Sequence, residues 1–196
     1  MKKYSSKYKS KIAFVLGHPA HYHYYKNVIN TLISNNHNIK VFFVSKDVLS
    51  KLILKESWDA ENFYPESRRS HVKSSFLSLP NIAIRSEYRL YNLIKNFNPN
   101  LIMGTDVTIA HIGKLLDIKT IIVNEDDTSA TPENYLFYPF ADIIVLPMCC
   151  DIGMWDDKRI SFNGYQELAY LHPDYFQPDE SRIKSYNLSN DKYIII

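Results

Sequence analysis

Cysteine is scarce: the 196 residues hold two, Cys149 and Cys150, adjacent in the chain. Neighbouring cysteines rarely reach the geometry of a relaxed disulfide, and without a third cysteine a disulfide framework is excluded. Two cysteines with no histidine nearby at ligand spacing make no structural zinc site either. The reducing cytoplasm is the expected compartment. Charge of one sign is equally sparse. There are 23 basic and 21 acidic residues, a net +2, too little for nucleic acid to be the main partner. The imbalance that exists crowds the start, at Lys2, Lys3, Lys7, Lys9 and Lys11. No run approaches the roughly 20 apolar residues of a membrane span. The apolar run behind the basic start is too short for the core of an export signal and is broken by Gly17, His18 and Pro19. Residues 1–10 therefore read as a basic, disordered leader. Weak attraction to anionic lipid at the inner face of the membrane is the secondary expectation for it.

The sequence does have an ordinary globular share of hydrophobic residues, 45%, set out in alternation. Runs 12–16, 40–44, 101–103, 120–123 and 143–146 are short and continuously apolar, as strands covered on both faces require. Residues 60–64 read as a further strand. Tyr25, Val28, Ile29, Leu32 and Ile33 keep helical spacing up to Asn35-Asn36, and 47–55 read as a short helix. Ile84, Tyr88, Tyr91 and Ile94 mark an amphipathic helix stopped by Asn98-Pro99, and 107–116 another. Thr131-Pro132-Glu133 supplies a cap, a proline at the first helical position and an acid in the first turn. Strand and helix in regular succession predict an α/β, Rossmann-like parallel sheet with helices on both faces. Residues 66–78 read as loop, and 148–178 hold turn formers and aromatics without a clean period. A helix over 179–186 follows, then Lys192 to Ile196 as the opening of a new buried strand. The expected organisation is a leader over 1–10 and a Rossmann-like lobe over 11–178. Residues 179–196 are then a linker helix and the first strand of a missing second lobe.

In an open parallel sheet, ligands collect beyond the carboxyl ends of the strands. That selects Gly17-His18-Pro19-Ala20-His21, then Gly104-Thr105-Asp106, then Asn124-Glu125-Asp126-Asp127, with Glu133 opening the next helix. The first cluster lacks the glycines of a dinucleotide loop and the Gly-Lys pair of a phosphate loop. His18 and His21 are candidate general bases near neutral pH. Hydrogen bonding to the loop backbone, or capping of the helix, is the competing role. Asp106, Glu125 and Glu133 could converge as acid/base carboxylates whose proximity splits their pKa values. Against that, Asp106 also suits a cap and Glu133 a helix-dipole partner. Neither three histidines on one short loop nor the adjacent Asp126 and Asp127 make a convincing metal site. No metal or cofactor is expected.

The run Gly17-His18-Pro19-Ala20-His21, with the later Gly164-Tyr165-Gln166-Glu167-Leu168-Ala169-Tyr170-Leu171-His172-Pro173, resembles the glycosyltransferase-like domain-of-unknown-function family numbered 354. Asn124 to Asp127 and Tyr138-Pro139-Phe140-Ala141-Asp142 follow in the order of that family. The resemblance implies the N-terminal lobe of a two-lobed glycosyltransferase-B fold, whose first lobe contacts a saccharide acceptor and whose second holds a UDP-sugar donor. It implies a transferase of cell-surface polysaccharide synthesis. His18, His21, Asp106, Glu125 and Glu133 would be its chemical candidates, and Gly17, Gly104, Thr105, Asp126, Asp127, Gly164, Tyr165 and Glu167 its substrate contacts. A looser similarity reaches UDP-N-acetylglucosamine 2-epimerases, in which an Asp and two Glu occupy the places of Asp106, Glu125 and Glu133. The epimerase pattern after the first strand is of a Gly-Thr-Arg-Pro type, and Gly17-His18-Pro19 departs from it. A truncated lobe without activity of its own is the third expectation.

Overall fold

A computed structural model describes residues 9–64, 79–106 and 108–186. Most of the leader, the loop over 66–78 and the strand expected at Lys192 to Ile196 lie outside the described residues. The element order is β1 (Lys11–Leu16), α1 (Pro19–Ser34), β2 (Asn38–Val44), α2 (Leu49–Ile53), β3 (Ala60–Tyr64), α3 (Leu79–Phe97) and β4 (Leu101–Gly104). It continues with α4 (Ile109–Leu116), β5 (Lys119–Val123), α5 (Asn134–Phe137), β6 (Ile143–Pro147), β7 (Arg159–Phe162), α6 (Leu168–Leu171) and α7 (Glu180–Ser185). All seven strands are parallel, in the order β3-β2-β1-β4-β5-β6-β7.

Burial explains why the strand runs are apolar throughout. Along β1, Ala13 and Val15 join a core with Leu90 and Ile94 of α3 and Ile109 and Ile112 of α4. The alternate residues Ile12, Phe14 and Leu16 join a second core with Tyr22, Tyr25 and Ile29 of α1 and Leu49 and Ile53 of α2. Successive side chains of a strand point to opposite faces, so the two cores lie on the two faces of one sheet. The chain runs outward from β1 to β3, then returns to place β4 on the other flank of β1. The crevice between the ends of β1 and β4 is thus the topological switch point of the sheet.

The helix stops are where sequence chemistry puts them. α1 ends with Asn35 as its cap and Asn36 at φ 65°. Asn98, ahead of Pro99, leaves α3 at φ 48°. Two expectations need correction. Thr131 does not cap a helix: its hydroxyl donates to the Asp127 carbonyl and accepts from the Asn134 amide at 2.5 Å. Regular helix starts only at Asn134, lasts one turn, and tightens to a 3-10 turn over Tyr138–Phe140, where Pro139 removes a backbone donor. The second concerns 148–178, which contains β7. Its residues Arg-Ile-Ser-Phe are four, with Ile160 and Ser161 exposed, so an edge strand left no continuous apolar run to read.

α4 lies close on β5 because Gly113 has no side chain. A Cβ there would sit 2.1 Å from Thr120 Cγ2 and 2.8 Å from the Ile118 carbonyl oxygen. Gly113→Ala should therefore destabilise the lobe by about 1–3 kcal/mol through overpacking, although alanine is the better helix former by about 1 kcal/mol. Urea denaturation checks this, and adding Thr120→Ser should recover part of the loss.

Candidate functional site

Three strand ends build one rim. Leu16 ends β1 and hands the chain to Gly17; Gly104 ends β4 and is followed by Thr105 and Asp106; Val123 ends β5 ahead of Asn124. Gly104 is required by the close approach of the two strands: a Cβ would lie 2.8 Å from the Val15 carbonyl oxygen. At Gly17 the same construction meets no obstacle and instead locates the crevice. Its absent Cβ would stand 3.9 Å from Asp106 Oδ2 and 4.0 Å from His21 Cε1. Gly17, His21 and Asp106, from two strand ends, therefore meet around one point at the switch.

Backbone hydrogen bonds orient both histidines. The Gly17 N–H donates to His21 Nδ1 at 3.1 Å, and the Ala20 N–H to His18 Nδ1 at 3.2 Å. His18 thereby caps α1. A ring nitrogen that accepts an N–H carries no proton, so the neutral rings present Nε2–H as donors. The rings stand 6.0 Å apart. Burial, chiefly, with the neighbouring His18 adding to it, pulls the His21 pKa down to about 4, against the opposing attraction of Asp106; Lys46 also lowers it. Asp106 divides its oxygens. Oδ1 accepts from the Thr108 N–H at 3.0 Å and the Thr108 hydroxyl at 2.8 Å, opening α4, while Oδ2 turns toward Gly17. Asp106 is therefore not the N-cap, which is Thr108; one of its oxygens fixes the turn ahead of α4 and the other stays open to the crevice.

Aromatic side chains extend the rim toward β5. The Tyr25 hydroxyl lies 3.4 Å from Thr105 Oγ1, and the Tyr25 ring meets Tyr24 edge-on at 4.8 Å. Tyr24 senses the charge of Glu125. Partial burial raises the Glu125 pKa above the usual carboxylate value, and the negative charges of Glu167 and Asp126 raise it further. Glu167 arrives because α6 folds back onto α1: the Asn27 amide donates to the Ala169 carbonyl at 2.9 Å, and His23 and Tyr170 stack at 5.6 Å. Tyr165 is exposed, and Gly164 is a packing glycine whose added Cβ would come 2.9 Å from Leu168 Cδ1.

The remaining candidates stand apart. Asp127 Oδ1 accepts from the Asp151 N–H at 2.7 Å, tying two loops together. Asp126 is exposed. Glu133 is exposed at the start of α5, with no side-chain partner among the described residues. Among the described residues no group of three or more His, Cys, Asp or Glu is arranged to hold a metal ion. A concavity of about 460 Å³ lies at the opposite rim, under the starts of β5 and β6. Its Lys119 is paired with Asp142 and its Lys158 is held by two carbonyls. Sequence reading places Tyr25 on a helix face and Tyr170 in a motif but does not bring them, or Tyr24, to the rim. The density of tyrosine over residues 22–25 was the available signal, but it reads equally as a buried helix face.

No family model and no curated protein matches the chain. Solved structures do. The chain is similar to MurG of Acinetobacter baumannii, with TM-score 0.61 and 11% identity over 79% of this chain and 45% of that one. It is similar to a UDP-GlcNAc 2-epimerase of Neisseria meningitidis bound to UDP-GlcNAc, with TM-score 0.61 and 13% identity over 91% of this chain and 51% of that one. The spinosyn forosaminyltransferase SpnP matches with TM-score 0.56 and 12% identity over 79% and 50%. The chain thus spans about half the length of the structures it matches. At such identities the likeness shows the fold alone: a Rossmann-like parallel sheet with helices on both faces.

No helix among the described residues is long and apolar enough to cross a membrane. The His21 environment yields a pH dependence. Its folded pKa lies below the ordinary 6.5, so the unfolded chain binds the extra proton first as pH falls. The stabilisation is complete above about pH 6.5, shrinks from there to about pH 4, and amounts to roughly 3 kcal/mol. Imidazole NMR should show His21 titrating near 4, and His21→Gln should flatten stability over that window. A midpoint near 6.5 would mean the ring is not desolvated at the crevice.

Proposed function

We propose that this lobe is the acceptor-side half of a nucleotide-sugar-dependent glycosyltransferase, related to the domain-of-unknown-function family numbered 354 and working on a surface polysaccharide or a similar saccharide. The observation that carries the reading is the meeting of Asp106 Oδ2, His21 and Gly17 at the β1/β4 switch point, where sheets of this type take their ligands. An acceptor hydroxyl seated over Gly17 would give its proton to Asp106 Oδ2. His18 and His21 would hold the hydroxyl or a neighbouring oxygen through Nε2–H. The direction of attack is then fixed by groups on two rigid strand ends, which is where positioning is most reliable.

Glu125, Glu167, Tyr165 and Tyr170 would receive the rest of the acceptor. Aromatic faces and carboxylates suit the apolar faces and hydroxyls of a sugar ring, and the raised pKa of Glu125 disfavours a second negative charge. The UDP-sugar donor would be held by a second lobe, consistent with the half-length match to the solved structures. The protein would work at the cytoplasmic side, and contact of the basic leader with anionic lipid there is part of the proposal.

The alternative is a UDP-N-acetylglucosamine 2-epimerase, and the Neisseria structure shares the fold. That reading asks Asp106, Glu125 and Glu133 to act together, and the Gly17-His18-Pro19 turn, which departs from the Gly-Thr-Arg-Pro type, weighs against it.

Two measurements separate these readings. In the two-lobed protein, Asp106→Asn should lower sugar transfer by about a hundredfold to ten-thousandfold, the usual loss for a general base, while Glu133→Gln should stay within about twofold. Acceptor-independent interconversion of UDP-GlcNAc, abolished by Glu133→Gln, would instead establish the epimerase. Calorimetric titration of this chain alone should show UDP-GlcNAc binding weaker than about 1 mM, a binding free energy no better than about −4 kcal/mol. Micromolar binding with turnover would overturn the acceptor-side assignment.

A further inference from the structure

Cys149 and Cys150 are not used by the proposed chemistry, yet they sit beside it. They follow β6 in a turn closed by the Cys150 N–H donating to the Pro147 carbonyl at 3.2 Å. Cys149 is exposed and Cys150 buried, 9% accessible. The Cys150 thiol donates to the Glu125 carbonyl oxygen at 3.0 Å, and the two thiol groups interact with each other. One side of the pair therefore meets solvent, and the other holds the loop that carries Glu125.

We propose that Cys149 and Cys150 are a reversible oxidation site for hydroperoxides, whose closure into a disulfide releases the Glu125 loop. In the first step the Cys149 sulfur attacks the peroxide O–O bond, giving the sulfenic acid and one equivalent of water or alcohol. In the second step the Cys150 sulfur displaces the sulfenic hydroxyl. The S–O bond breaks, the S–S bond forms, and the Cys150 proton leaves with the hydroxyl as water. The two thiols lose two electrons in all and the peroxide gains them.

Exposure assigns the first step to Cys149, because the oxidant reaches it from solvent. Adjacency assigns the second to Cys150, since no other cysteine is present to resolve the intermediate. Burial, the contact with Cys149 and the charges of Asp127 and Asp126 push the Cys150 pKa up to about 11. In the reduced protein it therefore stays a thiol and keeps its bond to Glu125. A disulfide between neighbours is strained, and strained disulfides are the readily reduced ones. In a reducing compartment the oxidised form would be transient, as a signal requires. Oxidation removes the S–H donor, so the bond to the Glu125 carbonyl is lost whatever the ring geometry.

The test uses this chain, treated with a small excess of hydrogen peroxide and analysed by peptide mass spectrometry and backbone NMR. The expected result is a 2 Da loss in the peptide containing both cysteines, restored by dithiothreitol. The Glu125 and Asp126 amide resonances should shift with the same time course. Cys150→Ser should instead accumulate the Cys149 sulfenic acid, trapped by dimedone, and Cys149→Ser should remain unoxidised under the same dose. Progression of Cys149 to sulfinic acid in the unsubstituted chain, or a disulfide joining two chains, would overturn the proposal. So would a 2 Da loss that leaves the Glu125 resonances in place. None of these outcomes depends on the acceptor-side reading, so the two stand or fall separately.

Discussion

The pairing of β1 with β4 is the constraint on which the rest depends. β1 is buried on both faces and hydrogen-bonded on both edges, so nothing in it can move without disturbing two cores. β4 can take its place beside it because Gly104 presents no Cβ to the Val15 carbonyl. That contact sets where Thr105 and Asp106 emerge relative to Gly17, His18 and His21. It fixes the spacing of the candidate groups by backbone geometry, which is stiffer than any arrangement of side chains on loops.

The electrostatics of the rim follow from two kinds of neighbour. Around Gly17, backbone N–H groups donate to the Nδ1 atoms of both imidazoles and burial lowers the His21 pKa, so the crevice offers one carboxylate oxygen among N–H donors. Toward β5 the pattern inverts: carboxylates face one another among tyrosine rings, and a proton is drawn to Glu125 rather than driven off. The two pKa values move in opposite directions for one reason: burial favours the uncharged form of each, so His21 loses its proton more readily and Glu125 holds one more readily.

The sheet was legible because each central strand carries a short run of three or more consecutive apolar residues; β7, Arg-Ile-Ser-Phe with Ile160 and Ser161 exposed, has no such run. Asp106 and the Gly17 cluster were legible from the rule about strand ends alone. The hydrogen-bond direction at His18 and His21 was not, since a ring can accept or donate with the same sequence around it. Nor was the brevity of the helix after Thr131-Pro132-Glu133: the cap-like start was readable, but the helix covers only Asn134–Phe137 before the 3-10 turn at Pro139. The return of α6 onto α1 could not be read at all, because it depends on contacts between residues far apart in the chain.

That return also orders events in time. Asn27 waits for a partner 142 positions downstream. On a growing polypeptide, β1 to β6 and the residues up to Trp155 that complete both cores all precede Ala169. Closing so long a loop costs little more in equilibrium entropy than closing a shorter one, but contacts between distant segments form late and slowly. The contact of Asn27 with Ala169, and with it the Glu167 end of the rim, is therefore expected to form after the more local pairings within the sheet.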